Sequence, residues 1–178
     1  MRSDIVSINN SGAGFQRVTE QAKKVAAYKG LGELETIQLQ VLTEEMLSLV
    51  HSLTGIDKAS FWIEFEGAQA DLHMTTKAVL DKEKRAELIA TSSSRKNEAA
   101  KTFLGGLRDR FEMAMAADVE HFEPSYDLLN DLPQGVYNEP DWDGYERSIL
   151  RKLAEDIKIG IQGDTVDITV SKRFNVQD

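Results

Sequence analysis

Apolar and polar positions along this chain repeat with two different periods, and the switches between them mark its elements. Residues 4–9 carry Ile5, Val6 and Ile8 among polar neighbours and predict a short strand, which Gly12-Ala13-Gly14 breaks. Over residues 15–28 the period lengthens. Phe15, Val18, Ala22, Val25 and Ala26 fall on one face of a helix that ends at Lys29-Gly30-Leu31-Gly32. A longer helix follows over residues 33–54, with Leu34, Val41, Leu42, Met46, Leu49, Val50 and Leu53 in one broad arc and Gly55 as its stop.

Strict alternation then returns. In 58–66, Ala59, Phe61, Ile63 and Phe65 point one way while Ser60, Trp62, Glu64 and Glu66 point the other. After a turn at Gly67-Ala68-Gln69, Leu72, Met74 and Thr76 continue the inner face through 70–78, which predicts a hairpin. Residues 81–90 read as a short charged helix. The polar break 91–96 leads into a second long amphipathic helix over 97–116. Residues 145–156 read as a helix. The chain closes on a hairpin, with Ile157, Ile159 and Ile161 set against Val166, Ile168 and Val170 across a Gly163-Asp164 turn.

One-sided helices among one-sided strands predict an α/β (α+β) protein. Its helices would lie on one face of a mixed, mainly antiparallel sheet, as a two-layer sandwich. A chain of 178 residues is the size of a single domain, here 1–178. Residues 118–144 differ in kind: they hold all three prolines, are strongly acidic and interleave Phe122, Tyr126, Tyr137 and Trp142. They read as an insertion packed down by its aromatics.

Composition narrows the function classes. The charge balance, 21 basic against 30 acidic residues, argues against a nucleic-acid binder. No run approaches the roughly 20 apolar residues of a membrane span, and the first ten residues lack a signal-like apolar stretch, so a cytoplasmic protein is expected. With zero cysteines there are no disulfides, thiolate metal sites or cysteine nucleophiles. The three histidines, His51, His73 and His121, lack metal-ligand spacing, and no Gly-x-Ser-x-Gly turn presents a serine. Asp141, Asp143 and Glu146 lack the remaining ligands of a calcium loop and read as an acidic helix cap.

The most informative segment is LETIQLQVLTEEMLSLVHSL, residues 34–53. Glu44, Ser48 and His51 run along one flank of its apolar arc, and Glu45 lies at the other edge. Carboxylates set against an apolar stripe are costly to bury without partners. Either these acids reach solvent at the stripe boundary or they mark a site.

That segment, the hairpin ASFWIEFEGAQADLHMTT, the stretch KNEAAKTFLGGLRDRFE and the terminal GDTVDITVSKRF together resemble the histidine-kinase-like ATPase (GHKL) fold. Within it they are similar to the small anti-sigma-factor serine kinases. The resemblance spans about residues 4–174, apart from the acidic insertion and the helix after it, and rests on element order and pattern. It implies a helix whose Glu-x-x-x-Asn pair supplies a catalytic base and a magnesium ligand. Here those positions read Glu44 and Ser48, with Glu45 beside them.

Where the family has Asp-x-Gly-x-Gly to read adenine, this chain has His73-Met74-Thr75-Thr76-Lys77-Ala78. In place of a glycine-rich lid it has Ser92-Ser93-Ser94-Arg95-Lys96-Asn97. Such a polar loop reads either as a helix cap or as an anion-holding turn at a helix N-terminus. The resemblance therefore implies a regulatory protein similar to bacterial anti-sigma factors, working by protein binding and needing no cofactor. Its partner class would be a STAS-type antagonist or a sigma factor, and a homodimer is compatible with it. The alternative it implies is a working ATP- and magnesium-dependent serine kinase. Glu44 would be its base, Ser48 the magnesium ligand, and Glu45, Thr75, Thr76, Ser94, Arg95, Lys96 and Asn97 would line the nucleotide.

Overall fold

The computed structural model describes residues 1–9, 13–54, 58–100 and 149–175. The predicted helix over 97–116 lies outside the described residues from position 101 onward, as do the acidic segment 118–144 and the start of the 145–156 helix. Along the described chain run β1 (Val6–Asn9), α1 (Ala13–Tyr28), α2 (Glu33–Thr54), β2 (Lys58–Glu66), β3 (Gln69–Lys77) and α3 (Lys82–Thr91). A 3-10 turn at Glu98–Ala100 follows, then a helical stretch at 149–153, β4 (Asp156–Gln162) and β5 (Thr165–Arg173). The last helix ends at 153, earlier than its pattern suggested, because Asp156 already pairs with Ser171 as the first residue of β4.

The five strands form one sheet in the order β1-β2-β3-β5-β4. Every pairing among the described strands is antiparallel, so the expected mixture does not occur there. Two-residue turns set the register of both hairpins, with Gly67 and Gly163 at positive φ, where a side chain would be strained. The alternation predicts the faces correctly. Phe61, Ile63, Leu72, Met74, Ile159, Val166, Ile168 and Val170 are all buried in one core. The α1 residues Val18, Ala22, Val25 and Ala26 pack into that core, as do Leu88 of α3 and Leu150. The described fold is α+β, with its helices contributing to the core on the inner face of the sheet.

Two local expectations change. The first helix starts two residues earlier than expected, at Ala13, so Gly14 lies in its first turn, where a Cβ would stand 2.7 Å from Ile8 Cα. The glycine is there so that α1 can start directly against β1. On α2 the buried set is Leu39, Leu42, Thr43, Met46, Leu47, Leu49 and Val50, while Leu34 in the first turn is 65% exposed. The buried arc is wide because the helix has neighbours on two sides: α1 flanks it, and its remaining apolar residues join the sheet core.

Candidate functional site

The central half of α2 carries the acids that the sequence singles out, and consecutive residues on a helix diverge by about 100°. Glu44 accordingly turns to solvent, while Glu45 is half-buried with its Oε2 withdrawn from water. Glu44, Leu47, Ser48 and His51 form one wall of a groove of about 370 Å³, and Phe15, Gln16 and Thr19 of α1 form the other. His51 meets the ring of Phe15 edge-on at 6.0 Å between centroids. Glu44 and Ser48, one turn apart, therefore share a groove as their spacing predicts. None of the other sequence-predicted site residues lines it.

The threonines at the end of β3 are separated by the pleat, which sends successive side chains to opposite faces. Thr76 is buried on the inner face, and its hydroxyl donates to the Lys58 carbonyl at 2.9 Å. Thr75 stands on the outer face and donates to Asp167 Oδ1 at 2.7 Å. Both hydroxyl protons are committed inside the sheet.

The segment after α3 is a strap along β4, one of the two outermost strands of the sheet. The Ser93 N–H donates to the Ile157 carbonyl at 2.9 Å, and the Ile157 N–H donates to Ser93 Oγ at 2.8 Å. Four residues later Asn97, only 6% exposed, makes the corresponding pair with Ile161. Its Nδ2 donates to the Ile161 carbonyl and its Oδ1 accepts from the Ile161 N–H, both at 2.8 Å. The chain between these anchors bulges outward through Arg95, a non-glycine residue at φ 52.

Ser94, Arg95 and Lys96 are exposed on that bulge, where Ser94 Oγ donates to Glu98 Oε1 at 3.1 Å. Behind the strap, Arg151 donates to the Ala90 and Thr91 carbonyls and so neutralises the C-terminal end of α3. Of the loop that the sequence offers as an anion-holding turn or a helix cap, residues 93–96 are exposed while Ser92 and Asn97 are buried, Asn97 as a fastening of the sheet edge.

One cluster escaped the sequence reading. On the outer face Trp62 and His73 lie opposite each other in the β2–β3 register, their rings stacked 5.0 Å apart at 11°. The Arg2 guanidinium sits 5.1 Å from the Trp62 ring and pairs with Glu64 at 3.3 Å. His73 Nδ1 lies 3.2 Å from Thr169 Oγ1, and Nε2 is buried without a hydrogen-bond partner. Burial lowers the His73 pKa below its ordinary value. Glu64 and Asp71 oppose that shift and Arg2 reinforces it. Alternation placed Trp62 outward, and the pairing of Trp62 with His73 follows once the Gly67 turn fixes register.

Among the described residues no group of three or more His, Asp or Glu is arranged to hold a metal ion. No described helix is long and apolar enough to cross a membrane. Neither the protein-family models nor the curated proteins compared with this chain give a match.

Proposed function

We propose that this chain is a regulatory protein that keeps a degenerate histidine-kinase-like ATPase fold and works by binding another protein, in the manner of anti-sigma factors. The observation that carries the reading is the commitment of Thr75 and Thr76, the residues standing where the family reads adenine. One donates to Lys58 and the other to Asp167, and they lie on opposite faces of the sheet. A nucleotide site needs a charged acceptor for the exocyclic amine, and neither threonine supplies one. Ser48 offers one hydroxyl where a magnesium ligand is required, and the side chain of Asn97 is held by Ile161. These residues do not fit magnesium-ATP. The implied partner class is a STAS-type antagonist or a sigma factor.

A second reading, an ATP-dependent serine kinase with Glu44 as base, draws on one observation: Glu44 and Ser48 do share a groove. The two readings separate in a thermal-shift measurement with and without millimolar Mg-ATP. A ligand at about 100 times its dissociation constant stabilises by roughly 2.7 kcal/mol, so a working site gives a clear rise in melting temperature. The protein-binding reading expects almost none. A micromolar dissociation constant for ATP that is lost in Glu44→Ala would replace it with the kinase.

A further inference from the structure

The two outer edges of the sheet are treated differently. At β4 the strap supplies Ser93 and Asn97 to the outward backbone groups of Ile157 and Ile161. At β1 the hydrogen-bond pattern fixes which groups point outward. Met1 and Phe65 exchange both backbone bonds, and the Ser3 N–H donates to the Ile63 carbonyl, so Phe65 and Ile63 face the N-terminal strand. Phe61 and Ala59, two and four residues earlier than Ile63, face it too, and they are opposite Val6 and Ile8. The intervening Ser7 therefore turns its N–H and C=O away from the sheet. Among the described residues nothing pairs with them.

Next to this edge, the N-terminal segment as far as Val6 and α1 enclose a groove of about 490 Å³. Three of the exposed large apolar side chains line it: Met1, Ile5 and Tyr28, the last 78% exposed. Its cations are Arg2, Arg17 and Lys24, against the acids Asp4 and Glu20. In a chain with 21 basic and 30 acidic residues, this groove inverts the charge balance. Arg17, Lys24 and Tyr28 follow one another at spacings of seven and four along one face of α1, parallel to the groove. The Gln21 amide crosses to Ser3 Oγ at 2.6 Å and to the Asp4 carbonyl, which ties the two walls together.

We propose that this groove receives an extended acidic segment of a partner protein, added as a strand beside β1. The backbone of such a segment would satisfy Ser7. Side chains of one parity would place carboxylates against Arg17 and Lys24 on the α1 face, and those of the other parity would place apolar groups against Ile5. The proposal rests on the protein-binding reading above and names the surface and the chemistry of the partner.

The test uses the full chain and a labelled synthetic peptide of about ten residues alternating glutamate and valine, with a lysine–valine peptide as control. Binding is read by fluorescence anisotropy and mapped by amide chemical shifts. The proposal expects saturable binding of the acidic peptide alone, with shifts at residues 4–8 and 17–28. It further expects an affinity loss of roughly tenfold or more in the double variant Arg17→Glu, Lys24→Glu, whose side chains are solvent-facing and whose fold is checked by circular dichroism. Equal binding of both peptides, insensitivity to charge reversal, or shifts confined to the outer sheet face would overturn it. So would a homodimer that occupies β1, seen by sedimentation and abolished by the same double variant. Absence of peptide binding with an unchanged null response to Mg-ATP removes this surface but leaves the protein-binding reading intact. A strong Mg-ATP response removes that reading itself.

Discussion

The side-chain amide of Asn97 pairs with the backbone of Ile161 as a neighbouring strand would, donating to its carbonyl and accepting from its N–H at 2.8 Å each. The same Oδ1 accepts from the Ala99 N–H at 3.1 Å, so one buried amide fastens the strap and starts the turn after it. Truncation to alanine leaves a buried donor and acceptor of β4 unsatisfied, which typically costs about 2–3 kcal/mol. Asn97→Ala is expected to lower the urea midpoint by that order, with Asn97→Asp in between, because the acid keeps the acceptor and loses the donor. An alanine variant within about 0.5 kcal/mol of wild type would mean that water replaces the amide freely.

This residue also shows how far the sequence could be read. Period-two and period-3.6 patterns locate the five described strands and helices α1 and α2, because each buries one face and the pattern records that burial directly. Glu44 and Ser48 fall in one groove for the same reason, since helical spacing alone brings them together. The sequence offers Asn97 either as part of a helix cap or as part of an anion-holding turn, whereas its partner Ile161 lies 64 positions away. No local pattern encodes that an amide will substitute for a missing strand. The resemblance groups Thr75 and Thr76 in one site, whereas strand alternation puts them on opposite faces of the sheet. Gly14 shows a second limit of local pattern. A glycine near a predicted boundary suggests a break, whereas here it records the approach of Ile8 in three dimensions.

Gly14→Ala tests that approach. A methyl group placed 2.7 Å from Ile8 Cα meets backbone, which cannot rotate aside, so α1 or β1 must shift. Alanine would raise the intrinsic helix propensity of the site by up to about 1 kcal/mol. Overpacking costs about 1–3 kcal/mol, and the net expectation is destabilisation. Equal or greater stability in equilibrium unfolding would show that the helix start moves without cost.

The Trp62–His73 stack predicts a pH dependence whose sign follows from burial. The folded state lowers the His73 pKa from 6.5, so on acidification the unfolded chain takes up the proton first. Stability is then complete above about pH 6.5 and falls as pH drops towards the lower folded value. Glu64, Asp71 and Arg2 face the ring, and the acids limit the shift. The unfolding midpoint should fall between about pH 7.5 and about pH 5.5, and His73→Phe, which keeps a ring against Trp62, should flatten that slope. Identical slopes in the two proteins would assign the dependence to other groups. The same titration followed by Trp62 fluorescence in a Trp142→Phe background should report protonation of the stacked imidazole as quenching.

The strap as a whole protects a sheet edge, and the sharpest test removes both fastenings. Ser93→Ala deletes the acceptor for the Ile157 N–H but leaves the Ser93 backbone bond to the Ile157 carbonyl, so alone it should cost about 1 kcal/mol. Asn97→Ala releases the far end. With either anchor present, the short segment between them still lies along β4, because only four positions separate Ser93 from Asn97. With both gone, only the Ser93 backbone bond to the Ile157 carbonyl still ties the strap to the seven-residue strand, and the outward N–H of Ile157 and both groups of Ile161 are released beside Ile157, Ile159 and Ile161. Such an edge is a template for pairing with another chain. The double variant should therefore lose more stability than the sum of the single variants, the coupling reflecting the shared strap. It should also self-associate in a concentration-dependent way, visible as added mass in sedimentation, while each single variant keeps the wild-type profile. Strict additivity with no change in association would mean that residues 93–97 merely decorate the edge, and that β4 is protected by its own twist and length.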